Sequence, residues 1–472
     1  MMVYALLIPL IVTFIAPFFG RKSVALSFLA YITSFLIILH ALLANQKLEL
    51  HLIDIIKPIG EFYLFADSIS NAFGATICLV SAIVALYSLP YMTHRFKELN
   101  KGDSEFKNYI FLYNLYATSM LWLVYCGNLI LLYIFLELSL LTSFLLIYMY
   151  GYGNRQWVAL LYFVWTHIAG ALALVGFLII AFENSTAAFK GISEISFLAW
   201  LLIFLGMIVK LPGLGLHIWL PWAHAEAPTP VSALLSPLTV GLAGYILIRL
   251  YLISPWFINE FRDLILAYGI ITSLYAGFAV FRQTDYKKLL AYSTISQMGY
   301  MLIGICLGTF GLIGAIIQYI SHAFGKSILF MTAGSIITLY HLRDIEKMGG
   351  LHEYIPTISN AALIGFMNLS GILTIGLFSE IFILKGLVDL YGFNIYLIIA
   401  IIFMFIISGW YSFYTQKRIF YGSPRIMRKA NVSRLLDVPP YFICIISIAL
   451  LFPPLVTLLL KNLKLCIGGV VP

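Results

Sequence analysis

The chain has 472 residues, of which 62% are hydrophobic and 10% charged, with a formal net charge of +8. Soluble chains carry about 25% charged residues, so folding in water is excluded and an integral membrane protein is indicated. The positive charge is not interleaved with exposed aromatics on a soluble surface, which excludes nucleic acid as a partner.

Apolar stretches of about 20 residues fit helices crossing a ~30 Å hydrocarbon core, and the ten-residue alternation of a β-barrel is missing. The fold class is therefore all-α, with about fourteen transmembrane helices. The spans are predicted near 3–19, 24–43, 67–91, 108–126, 128–149, 157–182, 196–216, 230–252, 261–281, 288–307, 311–340, 356–386, 393–416 and 438–460. The first has no basic region before it and no small-residue cleavage site, so it reads as a retained helix rather than a signal peptide. Gly127-Asn128 and Gly308 to Phe310 leave room only for antiparallel neighbours, and no soluble domain fits between spans. The five cysteines form no CxxC, so neither a cluster, a zinc site nor a disulfide framework is expected.

The stretch 210–249, KLPGLGLHIWLPWAHAEAPTPVSALLSPLTVGLAGYILIR, organises the rest. Lys210 ends an apolar helix, and Pro212, Gly213 and Gly215 then break the ladder. A charge beside a broken helix at membrane depth points to an ion site. A second break is predicted at 369–376, inside span 12. Spans 4–8 and 9–13 are equal sets of five, and five is odd, so the second set starts from the opposite side. This divides the chain into helices 1–3 (1–107), a first five-helix repeat (108–252), a second, inverted repeat (253–421), and a cytoplasmic basic loop with helix 14 (422–472).

Orientation follows from Lys and Arg. Loops after odd-numbered spans hold 18 of them, against 7 in the opposite loops and the C-terminal tail. The positive-inside bias puts both termini on the extracytoplasmic side of the cell membrane.

Charges inside spans are the candidate sites, because each uncompensated one costs about 2.5–3.5 kcal/mol on insertion scales. Glu137 and Lys210 are expected to pair as a proton relay if spans 5 and 7 touch. His322 and Lys326, four apart, share one helical face and extend the path. Glu380 lies on span 12, with Lys385 five residues on. His217 and His224 flank the short segment after the first break and read as gate or proton-access groups, as does Lys385. His167, without an evident partner, reads as a structural histidine. A metal site from His217, His224 and Glu226 has poor spacing, and none is expected. Asp67, Asp285, Lys287 and Lys288 read as caps, anchors or loop salt bridges. No P-loop, dinucleotide fingerprint or nucleophile triad is present.

KLPGLGLHIWLPWAHAEAPTPVSALLS (210–236) and TDYKKLLAYSTISQMGYMLIG (284–304) resemble the antiporter-like proton-channel subunits of respiratory complex I. ISHAFGKSILFMTAGSI (320–336) is similar to the cation/proton antiporter (Mrp) and membrane-bound hydrogenase branch. The resemblance covers roughly residues 60–420. It implies fourteen helices, two inverted repeats, and a lateral chain of buried titratable groups. Glu137 resembles the family's fifth-helix glutamate and Lys210 the seventh-helix lysine that pairs with it. His322 and Lys326 resemble the eleventh-helix histidine and lysine, and Glu380 the charged residue of the broken twelfth helix.

One departure matters: where many relatives carry an eighth-helix lysine, this chain has Gly241. A path from Lys210 to His322 then needs water, Ser236, Thr239 or a rearranged side chain. The sequence also stops soon after span 14, so the long lateral helix of some members is not expected. The resemblance implies an H+ or H+/Na+ translocating subunit of a redox-driven complex. Ferredoxin-linked hydrogenases and sulfur- or quinone-reducing relatives are the expected complexes. A dedicated Mrp-type antiporter, a stand-alone transporter and a copy that no longer pumps are the alternatives. No cofactor is expected in this chain, which lacks residues for flavin, haem or clusters. Iron–sulfur clusters, with or without a nickel–iron centre, would belong to peripheral electron-transfer partners. Sister antiporter-like chains, other membrane subunits and the lipid bilayer complete the expected partners. Only six Gln occur, a depletion that tilts toward a thermophilic, archaeal source.

Overall fold

The computed structural model describes residues 2–425 and 432–467. Of the predicted basic loop, Arg428 and Lys429 lie outside them, as does the extreme C-terminus. The chain begins with α1 (Met2–Ile15), a kink at Gly20, and α2 (Ser23–Leu43). Five helices follow: α3 (Ser68–Glu98), α4 (Glu105–Leu123), α5 (Leu129–Tyr150), α6 (Arg155–Asn184) and α7 (Phe197–Lys210). After a break come α8 (Trp219–Glu226), α9 (Thr229–Leu234) and, past a π-turn at Leu235–Thr239, α10 (Val240–Ile253). The rest comprises α11 (Trp256–Glu260), α12 (Arg262–Phe281), α13 (Tyr286–Cys306), α14 (Gly308–Tyr340), α15 (Pro356–Leu369), α16 (Gly376–Tyr391), α17 (Ile395–Phe420), α18 (Arg434–Ala449) and α19 (Pro453–Ile467). Among the described residues, nine helical stretches are long and apolar enough to cross a membrane, or ten if the bent pair α18–α19 counts as one.

Helix starts are fixed by short polar side chains. Asp67 accepts the Ser70 N–H at 2.9 Å, Asn128 the Ile130 N–H at 2.9 Å, and Asp285 the Lys288 N–H at 3.0 Å. Each satisfies donors that a helix leaves without partners.

The centre of the bundle is α14, 33 residues long and buried on nearly every side. At 1.5 Å per residue it spans about 50 Å, and α3, α13, α15, α16 and α18 pack around it. Outer helices instead turn Leu160, Val164 and Ile168 (α6) or Ile399, Ile402 and Ile406 (α17) outward, as a lipid-facing surface requires.

The structure departs from expectation in two places. Residues 48–66 are not a plain connection. β1 (Leu48–Asp54) and β2 (Glu61–Ala66) form an antiparallel hairpin, with Leu50 opposite Leu64, so among the described residues the fold is all-α except for this ribbon. The predicted straight span 438–460 is interrupted: α18 and α19 meet at a 78° bend, because Pro453 and Pro454 cannot donate to the preceding turn. Both predicted breaks are present, after Lys210 and between Leu369 and Gly376.

A candidate ion-translocation site at two broken helices

The first cluster gathers on α5, α6 and α7. Glu137 Oε1 lies 3.6 Å from Lys210 Nζ, and its Oε2 lies 2.7 Å from His167 Nδ1. Small residues make this possible. Gly206 brings α7 against the Ala169 carbonyl, and Gly170 clears the space the carboxylate fills, where any Cβ would collide with Oε1. Lys210 is the last residue of α7, where the partial negative charge of the helix end favours a cation. The Lys210 contact is longer than a hydrogen bond, and Oε1 has no other partner. Side-chain exposure rises outward, from 10% at Lys210 through 18% at Glu137 to 49% at His167.

His167, expected as a structural histidine without an evident partner, thus has one in Glu137. Its ring lies flat on Phe163, 5.3 Å between centroids, and faces the outside of the bundle. The missed signal was periodicity: His167 falls three residues before Gly170, on the α6 stripe facing α5.

A cavity of about 20 Å³ adjoins Lys210, lined in part by Ser139, Tyr162, Thr166 and Thr239. Its lining is otherwise mostly apolar (Leu136, Leu140, Trp219 and Val240), and it is large enough for about one water. Thr239 in turn bonds the Tyr116 hydroxyl, and Ser236 bonds Thr294 at 2.7 Å. Both Ser236 and Thr239 lie in the π-turn, which re-aims side chains in a way an unbroken helix cannot. Gly241, on the next turn, is filled from outside. The ring of Tyr319 occupies the place a side chain there would take, and its hydroxyl is buried without a hydrogen bond.

The second cluster is enclosed. Lys326 Nζ donates to the Leu290 carbonyl at 2.8 Å and to the Ser293 hydroxyl. Neither nitrogen of His322 has a partner, and the same holds for His224, whose ring packs on Phe330 at 4.9 Å. His224 sits within electrostatic reach of both Lys326 and Lys287. Lys287 corrects a second reading: it is not a boundary anchor but fully buried, donating to the Ala227 carbonyl at 2.5 Å. It opens α13 on the same face as Leu290 and Thr294, while Lys288 lies over the Trp222 ring. Toward the edge, Arg343 joins Asp285 at 2.9 Å and Glu226 at 3.8 Å.

The remaining candidates are dispersed. Glu380 lies over Gly371, whose φ of +66° turns the chain back at the second break. Lys385 does not reach Glu380. It pairs outward with Asp389. Gln297 binds the Leu369 carbonyl at 3.0 Å, Ser408 at 2.9 Å and Tyr411 at 3.0 Å, and accepts from Gln318 at 2.5 Å. Uncharged residues thus hold the second break, and a search for charges passes over them. His217 lies between Tyr275 and Tyr292. His217, His224 and Glu226 face three different neighbourhoods and form no common ligand set.

These features define a class: a multi-pass membrane protein whose broken helices lie among buried lysines, histidines and a carboxylate. Residues 126–407 match the family model described as NADH:quinone oxidoreductase/Mrp antiporter, TM, and the chain belongs to that family. It is 34% identical over 351 residues to the A subunit of the Na(+)/H(+) antiporter of Alkalihalophilus pseudofirmus, covering 68% of this chain and 42% of that one. It is 32% identical over 430 residues to NADH-quinone oxidoreductase subunit L of Escherichia coli, covering 86% and 67%. It thus spans 42–67% of the length of these relatives. One chain of the membrane-bound sulfane sulfur reductase, an archaeal respiratory membrane complex, shares the fold. Its TM-score is 0.81 at 22% identity, covering 94% of this chain and 75% of that one.

Proposed function

We propose that the chain is the ion-translocating, antiporter-like membrane subunit of a redox-driven complex, moving H+ or exchanging H+ for Na+. The observation that carries this is the placement of Glu137 between an enclosed Lys210 and a half-exposed His167, beside a broken helix. A carboxylate that leans toward Lys210 favours its charged form. One that leans toward His167 leaves the lysine to burial, which disfavours charge. Shifting Glu137 between them is a means of loading and releasing a proton. Lys287, His224, His322 and Lys326 supply the next stations, with Glu226, Asp285 and Arg343 at the entrance and Glu380 at the second break. Gly241 leaves the middle of this path to hydroxyls and water.

The same reading gives fourteen spans in two inverted five-helix repeats about the breaks, both termini outside, and redox centres confined to partner subunits. Purification from the native membrane in mild detergent tests the assembly, with mass spectrometry and metal analysis of what co-purifies. Nickel with iron–sulfur subunits identifies a hydrogenase. Iron–sulfur subunits without nickel leave a quinone- or sulfur-reducing complex. Small membrane partners without iron identify a dedicated Mrp-type antiporter, the second reading, which the 34% identical relative favours. Glu137→Gln tests the mechanism in proteoliposomes of that complex: translocation falls if Glu137 carries the relay. An unchanged ion stoichiometry shows a copy that no longer pumps, the reading that Tyr319 in the Gly241 space would explain.

A further inference from the structure

The ends of α3 and α14 meet on the side that carries most of the basic loops, and the side chains they present there are not those of the translocation path. His94 and Glu98 lie one turn apart on α3, and His341 is the residue that closes α14. The donor atoms of these three side chains all lie within 4.8 Å of one another. We propose that they form a divalent transition-metal site, with zinc as its best-fitting ion.

Ligand chemistry selects the ion. Two imidazoles and one carboxylate are the donor set of zinc with an open fourth position, and too nitrogen-rich for calcium or magnesium. At metal–ligand bonds of about 2.0–2.1 Å, tetrahedral ligand atoms stand ~3.3 Å apart. His94 Nδ1 and Glu98 Oε1 are 3.5 Å apart, which is nearly that edge.

The supporting shell is already in place. Glu98 Oε2 is held by Arg95 at 2.7 Å. Arg95 is buried, donates to the Tyr150 and Gly151 carbonyls, and lies over the Tyr152 ring. One carboxylate oxygen is thus anchored while the other faces His94, the orientation an outer shell gives a metal ligand. His341 adopts a left-handed backbone with φ +54°, uncommon for a residue other than glycine. Its N–H caps Ile337 at 2.9 Å, and its ring lies 5.5 Å from that of His94. The helices that present these ligands are closely packed, since Gly334 of α14 abuts the Tyr87 hydroxyl of α3. A bound ion would tie α3 to the helix that carries His322 and Lys326. The other acid–histidine group, His51, Asp54 and Glu61, offers one imidazole and commits Glu61 to Lys190 at 2.6 Å.

The test is zinc titration of the full chain, in its native complex, purified without a histidine tag and stripped with a chelator. Competition against a chromogenic chelator reads the binding. The comparison is a His94→Ala/His341→Asn double variant, since Asn tolerates the left-handed backbone. The expected result is one zinc of this site per chain, weakened at least ~10-fold in the double variant. Zinc should raise the melting temperature of the wild type and not of the variant, because only a ligand of the folded state stabilises it. Cobalt should give a tetrahedral visible spectrum in the wild type alone. Equal melting temperatures without metal verify that the variant is folded. Binding that is absent in the wild type, or equal in both proteins, overturns the proposal.

Discussion

The Arg249–Asp67 and Lys210–Glu137 ion pairs are built in opposite ways. Arg249 meets Asp67 through two 2.6 Å hydrogen bonds, with Ser70 at 2.6 Å and Tyr245 at 2.9 Å taking its other donors. Asp67 also caps α3 and accepts the Cys466 thiol at 3.1 Å. Each Asp67 oxygen accepts two hydrogen bonds, and four of the five guanidinium N–H groups are paired. Glu137 and Lys210, by contrast, are 3.6 Å apart, and Glu137 shares its other oxygen with an exposed histidine. Planar guanidinium and carboxylate lock a geometry, whereas a flexible ammonium at a longer distance lets one change. The first pair is a clasp between α3 and α10, and the second is a movable contact.

The sharpest way to break that contrast is to neutralise the clasp. Asp67→Asn leaves Arg249 charged and enclosed, and breaking a buried pair in this way costs about 3–5 kcal/mol. The melting temperature in detergent should fall further than for Lys210→Ala, Gly170→Ala or His167→Ala. A small fall would show the pair to be dispensable. Acid should act on the same group, which stands just ahead of the Ser68–Glu98 span. Burial alone would push the Asp67 carboxyl up, but the Arg249 guanidinium, by charge and hydrogen bonding, outweighs it and holds it at about 2 against an ordinary 3.8. A depressed carboxyl stabilises the fold above its unfolded value, so this contribution is whole above about pH 4 and fades as pH falls toward 2. Melting temperatures across that window should separate wild type from Asp67→Asn at the upper end and bring them together at the lower.

Lys210→Ala should give the opposite phenotype. Ion translocation by the reconstituted complex should fall by ~100-fold or more, the loss of a residue that carries the transported proton. The melting temperature should move less than in Asp67→Asn, because Glu137 keeps His167 and the water-sized cavity nearby. Retained transport would remove Lys210 from the path.

How much of this was legible in the sequence follows the same divide. Glu137, Lys210, His322 and Lys326 stand out because a charge in an apolar run is costly, and the Pro-Gly break beside Lys210 marks where one is tolerated. The Asp67 cap was legible as a cap, but its partner 182 residues away was not, since a long-range pair leaves no local pattern. Lys287 was misplaced for a related reason. At a span boundary, one helical turn decides between snorkelling outward and pointing inward, and Lys287 and Lys288 take one fate each. The hairpin at 48–66 was lost because short strands leave weak periodicity, whereas the bend before Pro453 was legible in the Pro453-Pro454 pair and was passed over because the apolar run continues across it. His167 was passed over because its partner lies on another helix.

A smaller change sharpens the contrast from the side of space rather than charge. Gly170→Ala puts a methyl where Glu137 Oε1 now sits. The carboxylate is the free end of a flexible side chain, so it should swing away at a cost of ~1 kcal/mol or less rather than unfold the helix pair. Translocation should still drop by about tenfold, because alignment of the transferring groups is what the space provides. Unchanged transport with an unchanged melting temperature would mean that Glu137 need not hold its observed position.

The gentlest test is His167. It lies at the outer end of the cluster, so its removal leaves the Glu137–Lys210 contact intact and frees Glu137 to lean inward. His167→Ala should slow translocation about threefold to tenfold, in the range of one ordinary hydrogen bond weakened by exposure to solvent, with stability nearly unchanged at this exposed position. His167→Gln keeps a donor for Glu137 but cannot carry a proton. If His167 only orients the carboxylate, glutamine restores the rate. If the proton passes through the ring, glutamine is as slow as alanine. The pair of substitutions therefore decides whether the movable contact ends at Glu137 or continues to the outer face of α6.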